Sequence, residues 1–259
     1  IMLVQAIPLF QDAHLLRRGM LEALADYTFL FQEYRYKGYA DGILAGCELT
    51  TTRDTIILNK GILLFDKRPY LIKEPMMALY HPTNNLTLLK LKFSDEMRDP
   101  NYIYRELELA FSEQTQIQKG EMELCRFTLQ EGAQLRYQYR NFEDKNTIYD
   151  TLNRVYVPYA SPESSTLAPE ITKSFAKEML ELTNISDYDA LFCMQILGQS
   201  QPVGAEALKA YLRRKGQKEL TDTSNIEIYK GLAEVRKQVM GENRPQETEH
   251  RKKWRVTVE

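Results

Sequence analysis

The residues able to do chemistry are scattered along this chain, and no group of them has the spacing a catalytic centre needs. The three histidines, His14, His81 and His250, lack a second ligand two to four residues on, so no metal-binding pattern forms around them. Glu106 with Glu108, and Glu121 with Glu123, are paired carboxylates of the kind that cleave glycosidic bonds. Both pairs alternate with apolar residues, which reads as the solvated or interface face of a strand. Asp95, Glu96 and Asp99 share one polar stretch; they would hold a hard cation weakly, and the expectation is solvated loop acids. A phosphate loop needs two glycines five residues apart and then Lys and Ser or Thr. Gly198 and Gly204 have the wrong interval and run on into Ala205 and Glu206. No G-x-S-x-G elbow occurs. Arg213-Arg214-Lys215 and Arg251-Lys252-Lys253-Trp254-Arg255 are basic clusters, the second holding the sole Trp. That Trp is able to stack on a base, but a run of this kind reads first as a solvated tail. Cys47, Cys125 and Cys193 are odd in number and widely spaced, so buried thiols in a reducing compartment are expected, not disulfides. No catalytic, cofactor-binding or metal-ligating residue is assigned, and the expectation is a protein that is not an enzyme.

The elements that would position any site begin with a helix over residues 12–37, with Asp12 as its N-cap. Leu16, Met20, Ala23, Tyr27, Leu30 and Tyr34 recur at spacings of four and three, one face of a helix. Leu21, Leu24, Thr28 and Phe31 form a second row, so the apolar arc is wider than a coiled-coil seam. Such a helix either crosses its own sheet or bundles with other copies. Leu16, Met20, Tyr27, Leu30 and Tyr34 are the candidate interface.

Residues 41–72 then read as a meander of short strands broken by Gly42, Gly46, Asn59-Lys60-Gly61 and Asp66-Lys67-Arg68-Pro69. Gly42, Gly46 and Gly61 are the candidate structural turn glycines. Residues 86–93 alternate, with Leu89, Leu91 and Phe93 on one side and Lys90 and Lys92 on the other, as in a half-buried strand. Further strands are expected over 102–111, 121–129 and 135–139. Residues 141–169 lose the alternation, and 161–168 have the composition of a linker. Pro169 then opens the first of four short amphipathic helices. The third is stopped by Gly216; the fourth opens at Ser224-Asn225-Ile226-Glu227 and is capped by Gly241. The expected fold class is α+β. The expected parts are an N-terminal helical arm (1–40), an antiparallel β-sandwich or barrel-like domain (41–140), an extended linker (141–169), a small C-terminal helical domain (170–241) and a charged tail (242–259).

Composition agrees with a folded chain. Of 259 residues, 43% are hydrophobic and 27% charged, enough to build one large core or two smaller ones. The net charge of −2 points to neither a nucleic acid nor a membrane surface as partner. No apolar run is long enough to span a bilayer. The first ten residues lack the basic start and cleavage site of a signal peptide. Sixteen tyrosines suit strands and also protein interfaces.

The meander carries a resemblance. Asp41-Gly42-Ile43-Leu44, Gly46, Asp54-Thr55-Ile56, Gly61-Ile62, Phe65 and Arg68-x-Tyr70 together resemble baseplate and tail proteins of phages, prophages and contractile tail-like particles of Gram-positive bacteria. The segments Glu123-Leu124-Cys125-Arg126-Phe127, Gly132-Ala133-x-Leu135-Arg136, Asn141-Phe142, Val157-Pro158-Tyr159-Ala160 and Phe192-Cys193-Met194-Gln195 extend the likeness over most of the chain. Lys67 departs from it, standing where the hairpin calls for glycine. The resemblance implies a non-enzymatic structural component, present in several copies, that connects the tail body to fibres or other baseplate proteins. It places the chain in the baseplate of a virion or tail-like particle assembled in the bacterial cytoplasm, with no cofactor, membrane or nucleic acid. The alternative is a carbohydrate-binding or receptor-binding fibre adaptor.

Overall fold

The computed structural model describes residues 7–12, 15–217 and 224–242. The chain is α+β: an N-terminal helix, several antiparallel sheets stacked in a sandwich-like body, and C-terminal helices. Helix α1 spans Arg18–Arg35. It starts later than the apolar periodicity, since Leu16 precedes it and Arg17, not Asp12, is the N-cap. Strands β1 (Gly42–Gly46), β4 (Gly61–Phe65) and β5 (Arg68–Ile72) form one sheet in the order β1-β4-β5. Strands β2 (Leu49–Thr51), β3 (Thr55–Leu58) and β6 (Met76–Leu79) form a second. Strand β7 (Leu86–Phe93) is central in a third, between β10 (Leu107–Ser112) and β11 (Glu121–Thr128), while β8 (Met97–Arg98) and β9 (Ile103–Tyr104) make a short ribbon.

Two strand expectations need correction. β7 is covered on both faces: Lys90 is 1% exposed, and its ammonium donates to the Gln116 carbonyl and to Glu121, both at 3.0 Å. Those partners let an amine sit where water is excluded. Residues 135–139 do not form a strand ladder; the contact there is a single bridge from Arg136 to Thr151. Arg136 instead forks onto both oxygens of Asp144 at 2.6 Å.

The turn at Lys67 shows how the departure from glycine is accommodated. Asp66 and Lys67 both have positive φ, +49° and +59°, as a two-residue hairpin turn of the primed type requires. The Asp41 carboxylate accepts from both of their backbone N–H groups, at 3.0 and 3.4 Å, which offsets the strain that glycine would avoid.

Helices α2 (Pro169–Leu180), α3 (Asp187–Gly198), α4 (Ala205–Arg214) and α5 (Asn225–Glu242) follow. α5 runs through Gly241, so that residue is not its cap. Asp189 of α3 is buried and accepts from the Tyr211 hydroxyl and the Lys215 ammonium at 2.8 and 2.9 Å, tying α3 to α4 and to the residue that ends it.

Residues 141–169 differ most from expectation. They form no element beyond one 3-10 turn and isolated bridges before Pro169 opens α2, yet they are core. Phe142, Leu152, Val155, Val157, Leu167 and Ala168 are buried in the cluster that also holds Ile43, Leu89 and Leu124 of the sheets and Phe175 and Leu232 of the helices. Buried backbone must find partners, and both sides supply them. Arg126 on β11 exchanges backbone bonds with Asn153 at 2.9 Å. Asn225 at the start of α5 donates to the Val157 and Thr166 carbonyls, and the Tyr229 hydroxyl to that of Phe142. Arg154, also buried, donates to the Cys47 carbonyl and the Tyr159 hydroxyl and faces Glu170 at 3.3 Å. A 3-10 turn, η1 (Glu143–Asn146), opens the segment.

Candidate interaction surface

The residues singled out for chemistry are dispersed or neutralised. Glu106 and Glu108 are exposed. Glu121 is bound by Lys90, and Glu123 is buried in a two-toothed pair with Arg126 at 2.7 Å. Glu123 is thus not on a solvated face: the Arg126 guanidinium that neutralises it is sandwiched against the Tyr156 ring, 3.3 Å from the centroid. Glu96 binds Arg68, Arg98 and Arg105, and the hydrogen bonds from Arg98 and Arg105 hold its pKa below the usual value. Asp99 closes its own turn by accepting from the Tyr104 hydroxyl and the Asn101 and Tyr102 N–H groups. The loop acids Glu96 and Asp99 are therefore spoken for by neighbours, not merely solvated. His81 is exposed; His14, His250, the 251–255 cluster and the charged tail beyond 242 lie outside the described residues. The three cysteines are buried, and burial pushes the Cys47 and Cys193 thiols up to about 12. Among the described residues no group of His, Cys, Asp and Glu could hold a metal ion, and no helix is long and apolar enough to cross a membrane.

What remains is a surface. α1 buries none of its eighteen residues. Of the candidate interface, Leu16, Tyr27, Leu30 and Tyr34 are exposed, Tyr27 at 61% and Tyr34 at 70%, while Met20 is half-buried. Helical spacing sets Met20, Ala23, Leu24, Tyr27, Leu30, Phe31 and Tyr34 on one side, and Glu22, Asp26 and Glu33 opposite. Tyr27 and Phe31, one turn apart, stack at 5.7 Å. Residues 7–9 and Leu15 run beside the start of the helix and frame a groove of about 600 Å³ next to Met20 and Ala23. Ile7, Leu9, Phe10 and Leu15 are themselves exposed, so they extend the apolar surface instead of covering it. Apolar surface concentrated on one element in this way is of the kind found at interaction sites and binding grooves.

The arm is fastened at its other end. Tyr36 and Tyr39 pack on Leu44, Leu64 and Ala160. Gly38, at φ +86°, lets the chain turn into a bridge between Tyr39 and Pro162, flanked by bonds from Ala40 N–H to Ser161 and from Glu163 N–H to Gly38. The candidate turn glycines lie just beyond. Gly46 and Gly61 are cross-strand partners. A Cβ on Gly46, φ +68°, would sit 2.3 Å from the Lys60 carbonyl oxygen, and one on Gly61 2.4 Å from the Cys47 nitrogen. One on Gly42 would sit 2.6 Å from the Ala160 nitrogen. All three stand where backbones touch.

No family model matches the chain. No curated protein matches it in sequence either. Among solved structures, a crystal structure of TssK aligns over 93% of this chain and 72% of its own, at 9% identity and a TM-score of 0.39. A chain of the TssK–TssF–TssG baseplate subcomplex of the type VI secretion system, seen by cryo-electron microscopy, aligns over 91% of this chain and 99% of its own, at 9% identity and a TM-score of 0.43. A chain of the type VI secretion baseplate complex gives 93% and 57%, 11% identity and a TM-score of 0.32. Scores of this size do not establish a common fold.

Proposed function

We propose that this chain is a non-enzymatic structural subunit of the baseplate of a contractile tail-like particle or phage tail. In this reading it is present in several copies and joins the tail body to fibres or other baseplate proteins, and α1 is the element through which copies or neighbours hold one another. The observation that supports the reading is α1 itself: an eighteen-residue helix with no buried side chain and a continuous apolar side. Water is a poor permanent neighbour for Leu24, Tyr27, Leu30, Phe31 and Tyr34, and a helix of this length is marginal in isolation. The resemblance of residues 41–72 to tail and baseplate proteins supplies the class of assembly.

The test is assembly state. The purified chain is run by size-exclusion chromatography with light scattering, alone and mixed with tail tube, sheath and fibre proteins from the same source. Oligomers or co-eluting complexes are expected, and Tyr27→Ser with Leu30→Ser should disperse them without lowering the melting temperature. A monomer at every concentration that binds no tail protein overturns the reading. Binding on a glycan array with no tail-protein partner would replace it with the fibre-adaptor alternative.

A further inference from the structure

A charged cleft of about 860 Å³ is lined by residues of η1, α2 and α5, and shares no residue with the arm. Tyr139, Leu182 and Met240 give it apolar lining; the rest is mostly ionised. Two of its carboxylates are already engaged. Glu170 faces Arg154 at 3.3 Å. Glu178 accepts from the Phe142 N–H and pairs with Arg236 at 2.9 Å, and Arg236 also reaches Glu143 at 3.1 Å.

The remaining charges do not balance. Arg140, Lys145, Lys173 and Lys177 have no carboxylate within ion-pair distance among the described residues. Glu181 is the one acid left to face them. Lys173 and Lys177 are one turn apart on α2, so they present charge along one line. Lys145 is half-buried, with its ammonium 3.8 Å from the centroid of the Tyr139 ring. Burial lowers its pKa, with Glu170 acting in the opposite sense. A cation held this way is partly desolvated and rests on a ring face with no described carboxylate at ion-pair distance, so an incoming anion can pair with it directly. The excess is local, since the whole chain carries −2.

We propose that this cleft binds an acidic peptide segment of a partner protein. Its carboxylates meet Arg140, Lys145, Lys173 and Lys177, and an apolar side chain of the segment lies against Tyr139, Leu182 and Met240. A peptide suits the lining better than a nucleic acid does. Glu170, Glu178 and Glu181 share the cleft, and a phosphate backbone, charged at every unit, would meet them too. A peptide can place its carboxylates opposite the cations alone. The inference does not rest on the baseplate reading, because it concerns a different surface and makes no use of α1.

The full chain is titrated into a fluorescein-labelled peptide of alternating Glu and Leu, and binding is followed by anisotropy. The Gln-for-Glu peptide and a single-stranded oligo(dT) of matched length are the comparison probes. The Glu peptide should bind at least about tenfold more tightly than its Gln counterpart, with the advantage shrinking as salt rises. Lys173→Glu with Lys177→Glu, both on the outer side of α2, should erase that advantage while leaving the circular dichroism melt unchanged. Lys145→Met should weaken binding by about fivefold; if it fails to fold, the double variant decides. Equal affinity for the Glu and Gln peptides overturns the proposal, as does no binding of the Glu peptide. Tighter binding of oligo(dT), lost in the same double variant, reassigns the cleft to polyanions and overturns it as well.

Discussion

Residues 15–35 and residues 141–169 exchange the roles their compositions suggest. The first stretch is rich in Leu, Phe and Tyr, yet α1 has no buried residue. The second is rich in Ser, Thr, Asn and Pro, yet Thr151, Asn153, Arg154, Ser161 and Thr166 are buried with its apolar residues. The difference lies in where hydrogen bonds go. A helix satisfies its own backbone and can stand in water or against any apolar partner. An extended segment can be buried only if neighbours satisfy it, and here its polar side chains and those of α5 do so. Asn153 accepts from the Val155 N–H, Thr166 donates to the Val203 carbonyl, and Asn225 takes two carbonyls of the segment. Polar composition in 141–169 therefore marks internal wiring, while apolar composition in α1 marks a surface that the described chain leaves uncovered.

That contrast can be broken by substitution. The largest effect is expected from Phe142→Ala, since Phe142 is fully buried between Phe175 and Tyr229. It should cost about 4 kcal/mol in urea unfolding, whereas a true linker residue would cost almost nothing. Arg154→Met removes the donor shared by Cys47 and Tyr159 and should cost about 3 kcal/mol by the same measurement. Tyr229→Phe, which deletes the hydroxyl bonded to the Phe142 carbonyl at 2.8 Å, should cost about 1 kcal/mol.

A pH series sharpens the same point at the edge of the segment. Hydrogen bonding from Arg136 holds the Asp144 carboxyl well below the usual carboxylate range. A lowered pKa contributes stability that is complete above the unfolded value near pH 4 and is lost as pH falls through the folded one. Wild type should therefore exceed Asp144→Asn by a constant margin at neutral pH, and the margin should narrow once the pH drops below about 4. The smallest effect belongs to the arm. Tyr27→Ser and Leu30→Ser should change unfolding stability by less than about 0.5 kcal/mol. A larger loss would mean that α1 is packed against its own body.

The regular elements were legible because their periodicities are local. The alternation of Leu107, Leu109 and Phe111 gave β10, although the strand starts later than the pattern because residues 97–104 fold into the β8–β9 ribbon. Pro169 and Gly216 marked helix ends that the structure places there. The burial of residues 141–169 left no periodic trace, since its partners are Arg126, Val203, Asn225 and Tyr229, distant in sequence. Lys90 and Glu123 were misread for the same reason: alternation assigns a face, but the loop around Gln116 and the Arg126–Tyr156 stack that cover those faces come from elsewhere. The apolar row on α1 was readable residue by residue. Its exposure was not, because a row of Leu and Tyr looks the same whether its cover comes from the same chain or another. The basic cleft was missed outright. Lys173 and Lys177 carry a helical spacing, but Lys145 and Arg140 join them only through the path of η1.

The root of the arm has a mechanical meaning. The bonds from Ala40 to Ser161 and from Glu163 to Gly38 flank one bridge, so a tug on α1 directed along the bridged strands loads both together. From Ser161 the strain passes to Tyr159, which is bonded to Thr166, and through Thr166 and its carbonyl to Val203 and Asn225 of the helical part. The root of the exposed helix is thus tied both to β1, which it enters directly, and to the segment that composition had marked as slack.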